Sequence, residues 1–214
     1  FFFTSFCILV LINGTNFIDG VNTLVTGYFI LVFLNVLYLS ELRHFNLDIL
    51  LVSTCLISLS VIYIFNFFGK MFLGDGGSYL ISFVAGVLLI NFSNDNYLVS
   101  PYYIVALLWY PAYENLFSII RKKILKKPPS TPDNEHLHHL IFLYFNKIFH
   151  INKNLSNLLS GLIICLYNFL YFLLIFDWYF FTATLLFSIL LNVFFYNLLY
   201  FFLKTKLIKN NQNG

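Results

Sequence analysis

The chain has 214 residues, of which 60% are hydrophobic, 21% aromatic and only 10% charged, with a formal net charge of +3. Its apolar residues fall in blocks long enough to cross a bilayer, which excludes an ordinary soluble domain, and its charges crowd into the gaps, away from the desolvation cost of hydrocarbon. The fold class this implies is all-α, a polytopic transmembrane helical bundle, and so small a net charge gives no reason to expect a nucleic-acid partner.

The opening stretch 1–12 is apolar but too short to span a membrane alone. It begins with Phe1 rather than Met and lacks the basic n-region and small-residue cleavage site of a signal peptide, so it reads as a partial span in an N-terminally truncated chain. At its end comes Asn13-Gly14-Thr15-Asn16-Phe17-Ile18-Asp19-Gly20-Val21-Asn22, in which polar residues recur every third position. On a helix or 3₁₀ turn that spacing makes one row of amides and a carboxylate, suited to hydrogen bonding a base or sugar at the membrane surface. A capped helix end followed by a turn accounts for the same residue types.

Apolar spans follow at 24–39 and 49–65, and the next, at 79–90, is preceded by Phe72-Leu73-Gly74-Asp75-Gly76-Gly77-Ser78. Glycine lets a ligand approach the backbone, and the helix start adds free N–H groups suited to phosphate. Asp75 there reads either as a ligand for a hard cation such as Mg²⁺ or as a plain helix cap. The span at 102–120 carries Pro111 and Glu114, a carboxylate that needs either a function or a partner.

Segment 121–157 reads as a basic, histidine-containing loop: Arg121-Lys122-Lys123, then Lys126-Lys127-Pro128-Pro129, then Pro132-Asp133-Asn134-Glu135-His136-Leu137-His138-His139. The basic run suits anchoring to anionic lipid, whereas three histidines in four positions suit charge-assisted bonds to a diphosphate. Two last spans, 158–176 and 179–203, bring the count to about seven, the first partial. Cys7, Cys55 and Cys165 lack CxxC spacing and read as buried, inert thiols, His44 and His150 as surface residues, and the aromatics as lipid-facing or interfacial.

Eleven of the twelve basic residues fall on the alternating gaps 13–22, 66–77, 121–157 and 204–214, the exception being Arg43, so those gaps are read as cytoplasmic. With no internal repeat or low-complexity linker, residues 1–214 form one membrane domain.

Together, in this order and on one face, the three motifs resemble the polyprenyl-phosphate N-acetylhexosamine-1-phosphate transferase family, over roughly residues 11–143. The resemblance implies transfer of N-acetylhexosamine-1-phosphate from a UDP-sugar to a polyprenyl (undecaprenyl) phosphate with release of UMP, initiating cell-envelope polysaccharide synthesis. It implies a bacterial inner-membrane, multi-pass enzyme with its active site on the cytoplasmic face. Asn13, Asn16, Asp19 and Asn22 would belong to the nucleotide-sugar site, with Arg121 and Lys122 as further substrate-binding residues. Asp75 would be the metal ligand, for Mg²⁺ or alternatively Mn²⁺, and would join His136, His138 and His139 as the catalytic set.

The partners implied are UDP-N-acetylhexosamine, polyprenyl phosphate and membrane lipid, with a homodimer left open. Asn22 stands where the family commonly has a second Asp and Glu114 where an Asp is common. The family's adjacent aspartate pair is expected upstream of this motif set, so the polypeptide alone is expected to be inactive. The rival readings are a non-catalytic relative and a fragment of a membrane transporter.

Overall fold

The computed structural model describes residues 2–126, 128 and 135–213, without the side chains of 211–213. Lys127, Pro129, Pro132, Asp133 and Asn134 of the basic, proline-rich loop lie outside the described residues. Among the described residues there are nine α-helices and no strand: α1 Phe2–Ile18, α2 Leu24–Arg43, α3 Ile49–Phe67, α4 Gly74–Asp95, α5 Pro101–Leu107, α6 Trp109–Ile124, α7 Leu137–Lys147, α8 Lys153–Ile175 and α9 Thr182–Asn213. Five of these, counting α8 with the 3₁₀ turn that follows it, are by length and composition able to cross a membrane: α2, α3, α4, α8 and α9. α1 is a shorter apolar helix, and α5 and α6 together occupy the remaining span.

α1 packs chiefly on α4 and α6, α2 on α3 and α8, and α9 on α5 and α7. Hydrogen bonds sort the connections into two ends. At one end the Arg43 guanidinium meets Asp177 at 3.1 Å, the Asn46 and Asn96 groups exchange bonds of 2.8 and 2.9 Å, and Ser100 N–H donates to the Tyr179 carbonyl at 2.8 Å. At the other end Asn22 N–H donates to Asn157 Oδ1 at 2.7 Å, Thr23 N–H donates to Asn66 Oδ1, and Asn66 Nδ2 donates to the Met71 carbonyl at 2.7 Å. Gaps that hydropathy alternation assigns to the same side are thus tied to one another. The fold is the polytopic helical bundle expected.

Three local readings change. The span at 102–120 is not one helix: it breaks at Leu108, between α5 and α6. Pro111 has no N–H to give the Leu107 carbonyl, and its ring crowds that carbonyl. The freed oxygen accepts instead from the buried Tyr28 hydroxyl at 2.7 Å. The first apolar segment does not end at residue 12: α1 runs on to Ile18, so that Asn13 and Asn16 take the helical one of the two readings given for the polar row. The stretch 121–157 is not all loop, because α7 lies within it, burying Leu137, Leu140 and Ile141 at the i, i+3, i+4 positions of one face.

The aromatics also divide differently from the expectation. Many Phe residues are exposed on the outer helix faces, yet Tyr28, Phe29, Phe33, Tyr103, Tyr110 and Tyr200 are fully buried in the core. Trp109 donates to Asn168 Oδ1 at 2.9 Å, a polar tie of the kind that holds helices together where lipid supplies no hydrophobic drive. All three cysteines are free, with Cys165 buried, Cys55 half-buried and Cys7 exposed rather than buried. His44 and His150 are exposed.

α1 and α6 approach backbone to backbone at Gly14, where a Cβ would lie 2.0 Å from the Pro111 carbonyl oxygen. Gly14→Ala is therefore expected to force the helices apart and to cost about 1–3 kcal/mol, read as a lowered thermal midpoint in detergent. An unchanged midpoint would mean that this crossing does not exist.

Candidate functional site

The site is built where the end of α1, the start of α4 and the start of α7 meet. Asn16, in the last turn of α1, donates from Nδ2 to Asp75 Oδ1 at 2.8 Å and lies 3.5 Å from Ser78 Oγ. Residues 59 positions apart are joined directly by this bond. Asp75 is exposed in the first turn of α4, where an acid suits the positive helix end. The chain enters α4 through Gly74 at φ 66°, a left-handed conformation open to glycine. A Cβ on Gly74 or Gly76 would meet nothing within 4 Å, so this turn borders open space.

Asp19 follows α1 directly and is half-buried. Its carboxyl is pushed up to about 6, first by burial and further by the Asp75 charge, against the lowering effect of a hydrogen bond from the Gly74 backbone. Two neighbouring carboxylates of which one is partly desolvated form an electrostatically unsatisfied pair, the kind of site a cation relieves. Among the described residues no group of three or more His, Cys, Asp or Glu comes together as a closed metal cage. Two hard oxygen donors beside open space suit a cation that completes its shell with water and substrate oxygens, as Mg²⁺ does.

The turn after α1 also meets the histidines. A Cβ on Gly20 would lie 2.5 Å from His138 Nε2 and 2.9 Å from His139 Cε1, so glycine is what lets this backbone reach the imidazoles. His138 and His139 have ring centroids 4.2 Å apart, and His136 stacks on His138 at 5.6 Å with an interplanar angle of 8°. Phe17 packs on His136 at 5.2 Å. His138 is 0% exposed, and neither ring nitrogen has a hydrogen-bond partner among the described residues. Burial, then the neighbouring His139 and His136, hold it well below the ordinary histidine range, so it is neutral at pH 7, with one nitrogen to donate and one to accept. Gly20→Ala is expected to displace these rings and to cut any reaction they serve by about 10²-fold, measured as transfer rate at equal protein level.

Behind the histidines stands α6. Glu114, 0% exposed, lies 3.0 Å from His136 Nδ1 and accepts from Leu137 N–H at 3.1 Å. Arg121, also buried, donates to the Glu135 carbonyl and, at 3.0 Å, to the Tyr200 hydroxyl, with its guanidinium 5.5 and 5.6 Å from the Phe117 and Tyr200 ring centres. Lys204 pairs with Glu135 at 2.6 Å. Lys122 is half-buried near the end of α6.

Of the residues expected at the site, the structure brings together Asn16, Asp19 and Asp75, and sets His138 and His139 against the Gly20 turn, with His136 stacked on them. Asn13 is exposed one helical turn before Asn16. For Asn22 the structure shows other neighbours: its N–H donates to Asn157 Oδ1 at 2.7 Å, its carbonyl lies 2.0 Å from where a Gly161 Cβ would be, and its side-chain amide nitrogen lies beside Gly69. Gly20 was not singled out by sequence, although a glycine directly after an acid in a polar row is the available signal. The Glu135, Tyr200 and Lys204 cluster left no such signal, because α9 reads as a plain apolar span.

A family model described as Glycosyl transferase family 4 matches residues 1–93. The chain is 28% identical over 176 residues to the probable undecaprenyl-phosphate N-acetylglucosaminyl 1-phosphate transferase of Bacillus subtilis (strain 168), covering 78% of this chain and 45% of that protein. It is 31% identical over 150 residues to the decaprenyl-phosphate N-acetylglucosaminephosphotransferase of Mycolicibacterium smegmatis, covering 60% of this chain and 37% of that protein. It is 30% identical over 153 residues to the undecaprenyl-phosphate alpha-N-acetylglucosaminyl 1-phosphate transferase of Escherichia coli (strain K12), covering 66% of this chain and 40% of that protein. The chain thus spans about two fifths of the length of these curated relatives. No solved structure matches it significantly. Over residues 1–93 the chain is thus similar to glycosyl transferase family 4, and motifs set far apart in its sequence meet at one end of a helical membrane bundle.

Proposed function

We propose that the chain forms the sugar-phosphate-handling part of an enzyme that transfers N-acetylhexosamine-1-phosphate from a UDP-sugar to a polyprenyl phosphate at the cytoplasmic face of a bacterial inner membrane. The observation that carries this reading is the joining of three motifs distant in sequence: Asn16 bonded to Asp75, and Gly20 set against His138 and His139. In the reaction a polyprenyl phosphate oxygen forms a bond to the β-phosphorus of the UDP-sugar, the bond to the bridging oxygen breaks, and UMP leaves. Charge on the phosphate oxygens has to be met by fixed donors, and the prenyl tail has to remain in lipid while the nucleotide stays in water. A pocket at the end of a bundle satisfies both demands.

Asp75 and Asp19 would hold Mg²⁺, or Mn²⁺, which when bound neutralises charge on the diphosphate. Asn16 orients Asp75 by donating to it. The neutral His138 offers a donor and an acceptor in a water-poor setting, where hydrogen bonds to charged oxygens are strong. Asn13 lies on the same helix as Asn16, one turn earlier, within reach of a bound base or sugar. Arg121 contributes by fixing Glu135, and Lys122 by charge at the membrane surface. A second copy of the chain as partner and entry into O-antigen or another envelope polysaccharide pathway belong to the same proposal.

The test is an assay of the full-length protein in proteoliposomes with UDP-N-acetylglucosamine and undecaprenyl phosphate. Divalent-cation-dependent release of UMP together with a lipid-linked sugar diphosphate is expected. Binding of the UDP-sugar with no product under any cation would reject catalysis and leave a non-catalytic relative.

A further inference from the structure

The histidine segment is held from behind by one buried side chain. Glu114 Oε2 faces His136 Nδ1 at 3.0 Å, while Oε1 accepts from Leu137 N–H at 3.1 Å and from the Tyr110 hydroxyl at 3.4 Å. A carboxylate accepts hydrogen bonds and offers none, so the His136 Nδ1 opposite it carries the proton and Nε2 is left as the exchangeable nitrogen. The same carboxylate takes the amide of the first residue of α7. His136, the residue before that helix, makes no side-chain capping bond, so Glu114 supplies from another helix the cap that the local sequence lacks. Seven residues further along α6, Arg121 holds the Glu135 carbonyl. α6 therefore grips residues 135, 136 and 137 in succession, immediately before the two imidazoles that abut Gly20.

We infer that Glu114 is the positioning residue of the histidine cluster: its carboxylate fixes the tautomer of His136 and anchors the first turn of α7, keeping His138 and His139 against the α1 turn. The kinetic consequence rests on the proposed sugar-phosphate transfer, whereas the tautomer does not. A carboxylate behind a histidine ring fixes the ring plane, and Phe17 at 5.2 Å on His136 limits its rotation further.

The test uses Glu114→Gln and Glu114→Asp. Glutamine keeps an oxygen for the Leu137 amide but can present N–H donors to Nδ1, so only the histidine contact is inverted. In the full-length enzyme Glu114→Gln is expected to lower kcat by about 10–100-fold, with KM for both substrates unchanged within about threefold, at wild-type levels of inserted protein. Glu114→Asp is expected to restore part of the rate. In ¹⁵N spectra of the histidine-labelled chain in micelles, His136 is expected as the Nδ1–H tautomer in the wild type and as the Nε2–H tautomer in Glu114→Gln. A wild-type kcat in Glu114→Gln, a loss that only tracks the amount of folded protein, or an unchanged tautomer would overturn the inference. Absence of transfer by the wild-type enzyme would instead reject the reaction, and the tautomer would then decide the role of Glu114 alone.

Discussion

Asp75→Asn in the full-length protein is expected to lower sugar-phosphate transfer by at least about 10²–10³-fold, the scale seen when one fixed stabilising group is removed from a transition state. The substitution keeps the size of the side chain and an oxygen that can still accept from Asn16 Nδ2, so the α1–α4 contact survives. What it removes is the charge that faces Asp19 and, in the proposed reaction, one of two hard oxygen donors for the cation. UMP release measured against Mg²⁺ concentration checks it. Near-normal turnover with an unchanged Mg²⁺ requirement would take Asp75 out of the metal site.

His138→Ala is expected to reduce the rate by about 10²–10⁴-fold, the usual contribution of a positioned proton-exchanging side chain. His138 is fully buried with both ring nitrogens lacking partners among the described residues, an arrangement costly to the fold unless a ligand supplies the missing bonds. Removing the ring should therefore destabilise the apo protein little while removing a ligand contact. Binding of UDP-sugar and transfer rate, both measured at equal levels of inserted protein, separate the two effects. An unchanged rate would mean that the imidazoles serve only to pack α7 on the α1 turn.

The helical membrane bundle and its two-ended arrangement were legible in sequence because each depends on a property summed over many residues. Apolar length and the bias of Lys and Arg survive local error. The break at Leu108 depends on one residue, Pro111, whose effect was visible in principle but needed Tyr28, distant in sequence, to stabilise the freed carbonyl. α7 was hidden because 11 residues carry too few turns for a strong periodic signal, and its start is capped from α6 rather than by its own sequence.

At the candidate site the residue types were legible, since amides, a glycine-flanked acid and clustered histidines each announce a chemistry. Their partners were not. The bond between Asn16 and Asp75 and the close approach of Gly20 to His138 depend on how three helices cross. Asn22 shows the converse: it continues the polar row in sequence, but the chain turns between Asp19 and Thr23, where Thr23 takes a positive φ of 70°, and its backbone goes to α8 instead.

Paired cysteines give the most direct test of the central claim, that motifs far apart in sequence share one pocket at one membrane face. With Cys7, Cys55 and Cys165 replaced by serine, Asn16→Cys paired with Asp75→Cys, and Phe17→Cys paired with His136→Cys, are each introduced into the protein in native membranes. The account predicts that both pairs cross-link under mild oxidation and that single cysteines at Asn16, Asp75 and His139 react with an impermeant maleimide from the same side. Failure of both pairs to cross-link while the cysteines label from opposite sides would contradict it.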